Sequence, residues 1–161
     1  MKTWIMMRHG KSSWELNVAD ADRPLNARGI ADAHLMGAFL ATKNLQIDAA
    51  YASFANRAAH TALIVTKEME LPFYKLSFSK QLYDFAGEEV LEFVRCLPDD
   101  QHTVMTFGHN HACTMLANAL GGFSGENIPT AGAVIFRFDV SLWSTIKTGT
   151  AECFFPNMLK N

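Results

Sequence analysis

Apolar residues in this chain fall into two kinds of pattern: short unbroken runs, and sets spaced three and four apart. Thr3 to Met7 is a run of the first kind and ends on Arg8-His9-Gly10. It is too short for a confident helix, and the lack of alternation suits a strand buried on both faces, as in a parallel sheet. Lys11 to Leu25 is polar and ends in Asp20-Ala21-Asp22-Arg23-Pro24-Leu25, a composition for a loop over the strand end. From Asn26, a plausible N-cap, Ile30, Ala33, Met36, Gly37 and Leu40 recur at helical steps to about Thr42. Ala49 to Ala52 then predicts a strand, and Ala58, Thr61, Ala62, Val65 and Met69 a second helix stopped at Leu71-Pro72. Tyr74 to Phe78 alternates as a strand does. Gly87-Glu88-Glu89 opens a helix through Leu97, its acidic first turn matching the helix dipole. Thr103 to Phe107 is the next strand, followed by Gly108-His109-Asn110-His111 and a helix closed by Gly121-Gly122. Ala133 to Phe138 and Thr150 to Phe155 are the last strands. Strands alternating with helices predict an α/β three-layer sandwich, with a mostly parallel central sheet and helices on both faces.

Composition narrows this picture without redirecting it. The 161 residues suit one domain, 1–161, with no linker and no internal repeat. Apolar residues make up 49% and charged ones 19%, a globular balance. A formal net charge of −2 gives no general attraction to nucleic acid or to an anionic membrane, so any anion site must be local. Cys96, Cys113 and Cys153 are odd in number and lack metal-ligand spacing, which argues against a disulfide framework and a zinc site and for a reducing cytoplasm. The apolar start is short of a signal-peptide core, and no run approaches the roughly 18 residues that a membrane span needs.

Candidate chemistry collects at three strand-to-helix junctions. Arg8 and His9 stand at the first, Arg57 just inside the second helix, and His109 at the third. Ligands of open α/β sheets bind beyond the carboxyl ends of the strands, where helix N-termini also present free N–H groups. Two guanidinium forks and two imidazoles there make an anion pocket suited to a phosphoryl group. Gly10 lets the backbone turn and approach a ligand closely. Lys11 and Asn110 are placed either to donate to phosphate or to be solvated loop residues. Ser53 fits a helix cap or a ligand contact, and Thr61, one turn after Arg57, a brace for the guanidinium or a ligand contact. His34 reads as a packing or surface residue. His60, three residues from Arg57, has no support for a role, and His102, His109 and His111 lack the carboxylate or thiol cluster of a metal site.

Taken in order, Arg8-His9-Gly10 with Lys11-Ser12-Ser13-Trp14, Arg23-Pro24-Leu25 with Gly29, Ser53 with Arg57-Ala58 and Thr61, and Gly108-His109-Asn110 resemble the successive motifs of the histidine phosphatase superfamily. Within it they resemble the small branch of SixA-type protein phosphohistidine phosphatases, over essentially the whole chain. The resemblance implies that His9 is phosphorylated and that Arg8, Arg57 and His109 bind the transferred group, with no cofactor and no metal. Many members that act on alcohol phosphates carry a carboxylic acid on an inserted cap, and this chain has no room for a cap domain. Asp20, Asp22, Asp84, Glu88 and Glu89 are candidates for that acid by position alone. The implied substrate is a phosphorylated protein bearing phosphohistidine. The alternatives are a small phosphate ester on the same site, or a silent module that binds phosphoprotein.

Overall fold

A computed structural model describes residues 1–125 and 127–160. Six strands form one sheet: β1 (Lys2–Arg8), β2 (Ala49–Ser53), β3 (Leu76–Ser79), β4 (Thr103–Gly108), β5 (Ala133–Phe138) and β6 (Thr150–Phe154), in the order β3-β2-β4-β1-β5-β6. The first four are mutually parallel, whereas β5 pairs with β1, and β6 with β5, antiparallel. The helices are α1 (Ala27–Ala41), α2 (Asn56–Glu68), α3 (Glu88–Arg95), α4 (Ala112–Gly121) and a final turn α5 (Pro156–Leu159). No helix among the described residues is long and apolar enough to cross a membrane.

The unbroken apolar runs are explained by what they face. Trp4, Met6, Val104, Val134 and Phe136 point into one core with Val90 and Val94 of α3 and Leu116 and Leu120 of α4. Their neighbours Ile5, Met7, Ala50, Ala52, Met105, Phe107 and Ile135 point into the other, with Ala33, Met36 and Leu40 of α1 and Ala62 and Val65 of α2. Side chains alternate across a strand, so a strand covered on both faces must be apolar throughout. This is the three-layer sandwich expected, with the mostly parallel sheet in its middle.

Local departures have local causes. The alternating stretch from Tyr74 is a strand only from Leu76; Phe73–Lys75 is a 3₁₀ turn that leaves Phe73 and Tyr74 exposed. The loop after β1 carries one 3₁₀ turn, Asp20–Asp22, and a single bridge pairs Ser12 with Leu25. At α1 the Asn26 side chain accepts from Gly29 N–H, as its position predicted.

Glycine at positions 10 and 29 is a steric requirement. A Cβ on Gly10 would lie 2.7 Å from the Gly29 carbonyl oxygen, and one on Gly29 would lie 2.1 Å from that of Lys11. Backbone packs on backbone here, so the close approach at Gly10 is to the first turn of α1. That contact seats the segment after His9 against a helix.

Candidate active site

β2, β4 and β1 are neighbours in the sheet, and parallel strands end on the same side, which is why three junctions distant in sequence form one cluster. At the end of β1, His9 N–H donates to Gly108 O at 3.0 Å and His9 O accepts from Ala131 N–H at 2.8 Å. The His9 backbone is thus pinned on both sides. Its ring Nδ1 lies 2.6 Å from Gly10 O. A carbonyl only accepts, so the hydrogen is on Nδ1 and Nε2 is bare. That bare nitrogen faces Arg57, whose Nε is 3.3 Å away. The His109 ring stands 5.3 Å from the His9 ring, centroid to centroid.

Both imidazoles are buried, whereas His34, His60, His102 and His111 are exposed. The His9 pKa is pushed down to about 3, first by burial and then by the charges of Arg57, Arg8 and Arg23, against the opposing bond to Gly10. His109 is also pushed down to about 3, again mainly by burial and then by His9, Arg57 and Arg8. Burial from water disfavours the imidazolium form. Near neutral pH, His9 therefore keeps a lone pair available for attack.

Arg57 is the hub of the cluster. Its Nη1 donates to Asp20 O at 2.6 Å and its Nη2 to Asp20 Oδ2 at 2.8 Å. Arg8 donates from Nη1 to Ile128 O at 2.8 Å, and its buried Nε has no partner among the described residues. Thr61 does not brace the guanidinium. Its hydroxyl donates to the Arg57 carbonyl at 2.7 Å and accepts from Gly10 N–H at 2.9 Å, tying α2 to the segment after His9. Ser53 is no helix cap either: the residue before α2 is Ala55, and the Ser53 hydroxyl lies 2.9 Å from His109 Nε2.

Lys11 and Asn110 do not bond to the cluster. The Lys11 side chain is exposed. Asn110 spends its oxygen on Thr114 N–H and hydroxyl, at 3.0 and 2.7 Å, and its amide on Asn127, which secures the first turn of α4.

The carboxylates separate by environment. Asp84 Oδ2 accepts from Gly87, Glu89 and Val90 N–H groups and its Oδ1 from Ala86, so it caps α3. Asp22, Glu88 and Glu89 are exposed. Asp20 alone among the five bonds to a residue of the cluster. Its carboxylate accepts from Tyr83 at 2.5 Å, from Arg57 and from Arg23 Nε at 3.3 Å, and these bonds hold its pKa far below the usual carboxylate range. A carboxylate so held has no proton to give.

Two further features border the cluster, and residue spacing assigned neither of them a place in it. Arg23 is buried, donates to Ser12 Oγ at 2.7 Å, and lies 3.6 Å under the exposed Trp14 ring. Tyr83 and Phe85 pack on His109 with ring centroids 5.2 and 4.9 Å away, and Phe54 packs on Tyr83 at 5.1 Å. Phe54 and Phe85 remain exposed, so this rim is aromatic. A Tyr-x-Phe after a strand has no period of its own, and only the fold brings it to His109.

Two buried neutral imidazoles and two arginines thus gather at the carboxyl ends of parallel strands, a donor set suited to an anion. Residues 4–83 match the model of the histidine phosphatase superfamily (branch 1). An uncharacterized protein of Mycobacterium tuberculosis, strain H37Rv, is 31% identical over 155 residues, which cover 90% of this chain and 94% of that one. The structure resembles that of the protein histidine phosphatase SixA complexed with tungstate, with a TM-score of 0.80, 23% identity, and coverage of 98% of this chain and 99% of that one. It also resembles a phosphoglycerate mutase from Bacillus anthracis, with a TM-score of 0.68, 18% identity, and coverage of 98% and 95%. The chain belongs to the histidine phosphatase superfamily, and that membership supports a phosphatase.

Proposed function

We propose that this protein is a metal-independent phosphatase that works through a phospho-His9 intermediate, and that its preferred substrate is phosphohistidine in another protein. The observation that carries the reading is the His9 ring, tied through Nδ1 to Gly10 O with bare Nε2 turned to Arg57. Nε2 attacks phosphorus, the bond from phosphorus to the leaving atom breaks, and its electron pair departs with that atom. Water then attacks phospho-His9, releasing phosphate and restoring the ring. Charge in flight spreads over three equatorial oxygens, and Arg8, Arg57 and His109 are the donors arranged to meet it.

The leaving-group preference rests on Asp20. The carboxylate nearest the cluster is held ionised by Tyr83, Arg57 and Arg23, so it does not protonate a departing alkoxide. An aromatic rim of Phe54, Tyr83 and Phe85 favours a flat leaving ring. Phosphohistidine and aryl phosphates are turned over, while alkyl phosphates such as phosphoserine react far more slowly. EDTA leaves the rate unchanged.

The test is trapping. Incubation with labelled substrate and an acid-free quench gives wild-type protein carrying an acid-labile phosphoryl group on His9. His9→Gln gives neither label nor turnover. Turnover of that variant within a few-fold of wild type overturns the assignment. Equal rates on aryl and alkyl phosphates overturn the acid-free site.

A further inference from the structure

His109 presents an asymmetry that its role as a phosphate-binding residue does not require. Its Nε2 lies 2.9 Å from Ser53 Oγ, while its Nδ1 is buried with no partner among the described residues. Ser53 is fully buried at the end of β2. Its oxygen accepts from Ala55 N–H at 3.3 Å, and the only acceptor that its own hydrogen meets among the described residues is His109 Nε2.

We propose that Ser53 is a positioning residue that sets the tautomer of His109, donating its hydroxyl hydrogen to Nε2 so that the ring carries its single hydrogen on Nδ1. In the opposite tautomer Nε2–H would point at the serine oxygen. The serine hydrogen would then be buried without an acceptor, and the Nδ1 lone pair without a donor, two losses where the proposed state has one, the Nδ1 hydrogen itself, which a bound anion can accept. Burial keeps His109 neutral, so the ring has one hydrogen and its place matters.

The consequence, which rests on the phosphatase reading above, is a division of labour between two rings 5.3 Å apart. Both carry hydrogen on Nδ1. In His9 that hydrogen is spent on Gly10 O and bare Nε2 is left for attack; in His109 Nε2 is spent on Ser53 and the Nδ1 hydrogen is left to donate. One imidazole is held as the nucleophile and the other as a neutral hydrogen-bond donor. β2 thus contributes to the site through β4, and the Arg57-bearing helix begins three residues after the serine.

Histidine labelled with ¹⁵N reports the tautomer directly through long-range ¹H–¹⁵N correlation at pH 7, independently of any activity. The His109 signals are those that vanish in His109→Gln. In the wild type they place Nδ1 in the protonated range and Nε2 in the bare range. Ser53→Ala averages the two nitrogens and lowers kcat by about 10-fold or more, while Ser53→Thr, which keeps the hydroxyl, retains both signature and rate. A wild-type ring protonated on Nε2, or already averaged, overturns the proposal even if no Ser53 variant folds. So does a folded Ser53→Ala protein that keeps the Nδ1–H signature. An inactive wild type with the Nδ1–H signature would count against the phosphatase reading and leave the tautomer assignment standing.

Discussion

Arg57 shows how little a residue type says before its partners are known. All three of its donor nitrogens are engaged, with His9 on one side and Asp20 on the other. Loss of this preorganised donor in Arg57→Ala is expected to slow turnover by about 100-fold or more, read as kcat/KM. Asp20→Asn tests the other side of the guanidinium. The amide keeps a bond to Tyr83 or Arg23 but loses the ion pair, so kcat/KM falls by several-fold for every substrate, and the dependence of rate on leaving-group basicity keeps its slope. A selective loss on alkyl phosphates would instead make Asp20 the acid.

Among the elements, the decisive contacts lie where helices meet the loops that carry the cluster. The packing of Gly10 and Lys11 on Gly29 leaves no room for a methyl group, since backbone would have to move on both sides. Gly29→Ala is therefore expected to destabilise the protein by about 2 kcal/mol or more, measured by chemical denaturation, and to lower activity by displacing the segment after His9. Asp84 acts on α3 in the way a cap does, with three N–H groups on one oxygen. Asp84→Ala costs about 1–2 kcal/mol of stability and leaves the leaving-group dependence unchanged. A carboxylate read by position as a candidate acid is thereby assigned to folding.

At the scale of the molecule, two buried neutral histidines link stability to pH. Their folded-state pKa values, about 3, lie below the ordinary value near 6.5, so between those limits the unfolded chain binds protons that the native protein does not. Stability then rises with pH up to about 6.5 and falls as pH drops through that value. The loss by pH 5 is on the order of 1–2 kcal/mol for each ring. Denaturation midpoints measured from pH 8 to 5 should follow this fall, and in His109→Gln, where only His9 still contributes, they should fall about half as far. The rate per folded molecule stays level over the same range, because His9 keeps its lone pair.

The order of elements was written in local pattern. Runs such as Thr3 to Met7 and spacings such as Ala33-Met36-Leu40 reflect which faces are covered, and that is a property of the period. The motif residues Arg8, His9, Arg57 and His109 stood out for the same reason, each closing a run or opening a helix. Pairing beyond neighbours was not written there. The order β2-β4-β1, the antiparallel β5 and the 3₁₀ turn at Phe73–Lys75 depend on contacts between distant segments, as do the partners of every polar side chain in the cluster. Ser53, Thr61 and Asp20 each have several possible hydrogen-bonding partners, and only the packed structure selects one: His109 for the first, the Arg57 carbonyl and Gly10 for the second, Arg57 with Tyr83 and Arg23 for the third. Sequence determined which groups reach the carboxyl ends of the strands; tertiary structure decided which of them carries the proton, because burial and the nearest partner set the state of an imidazole or a carboxylate.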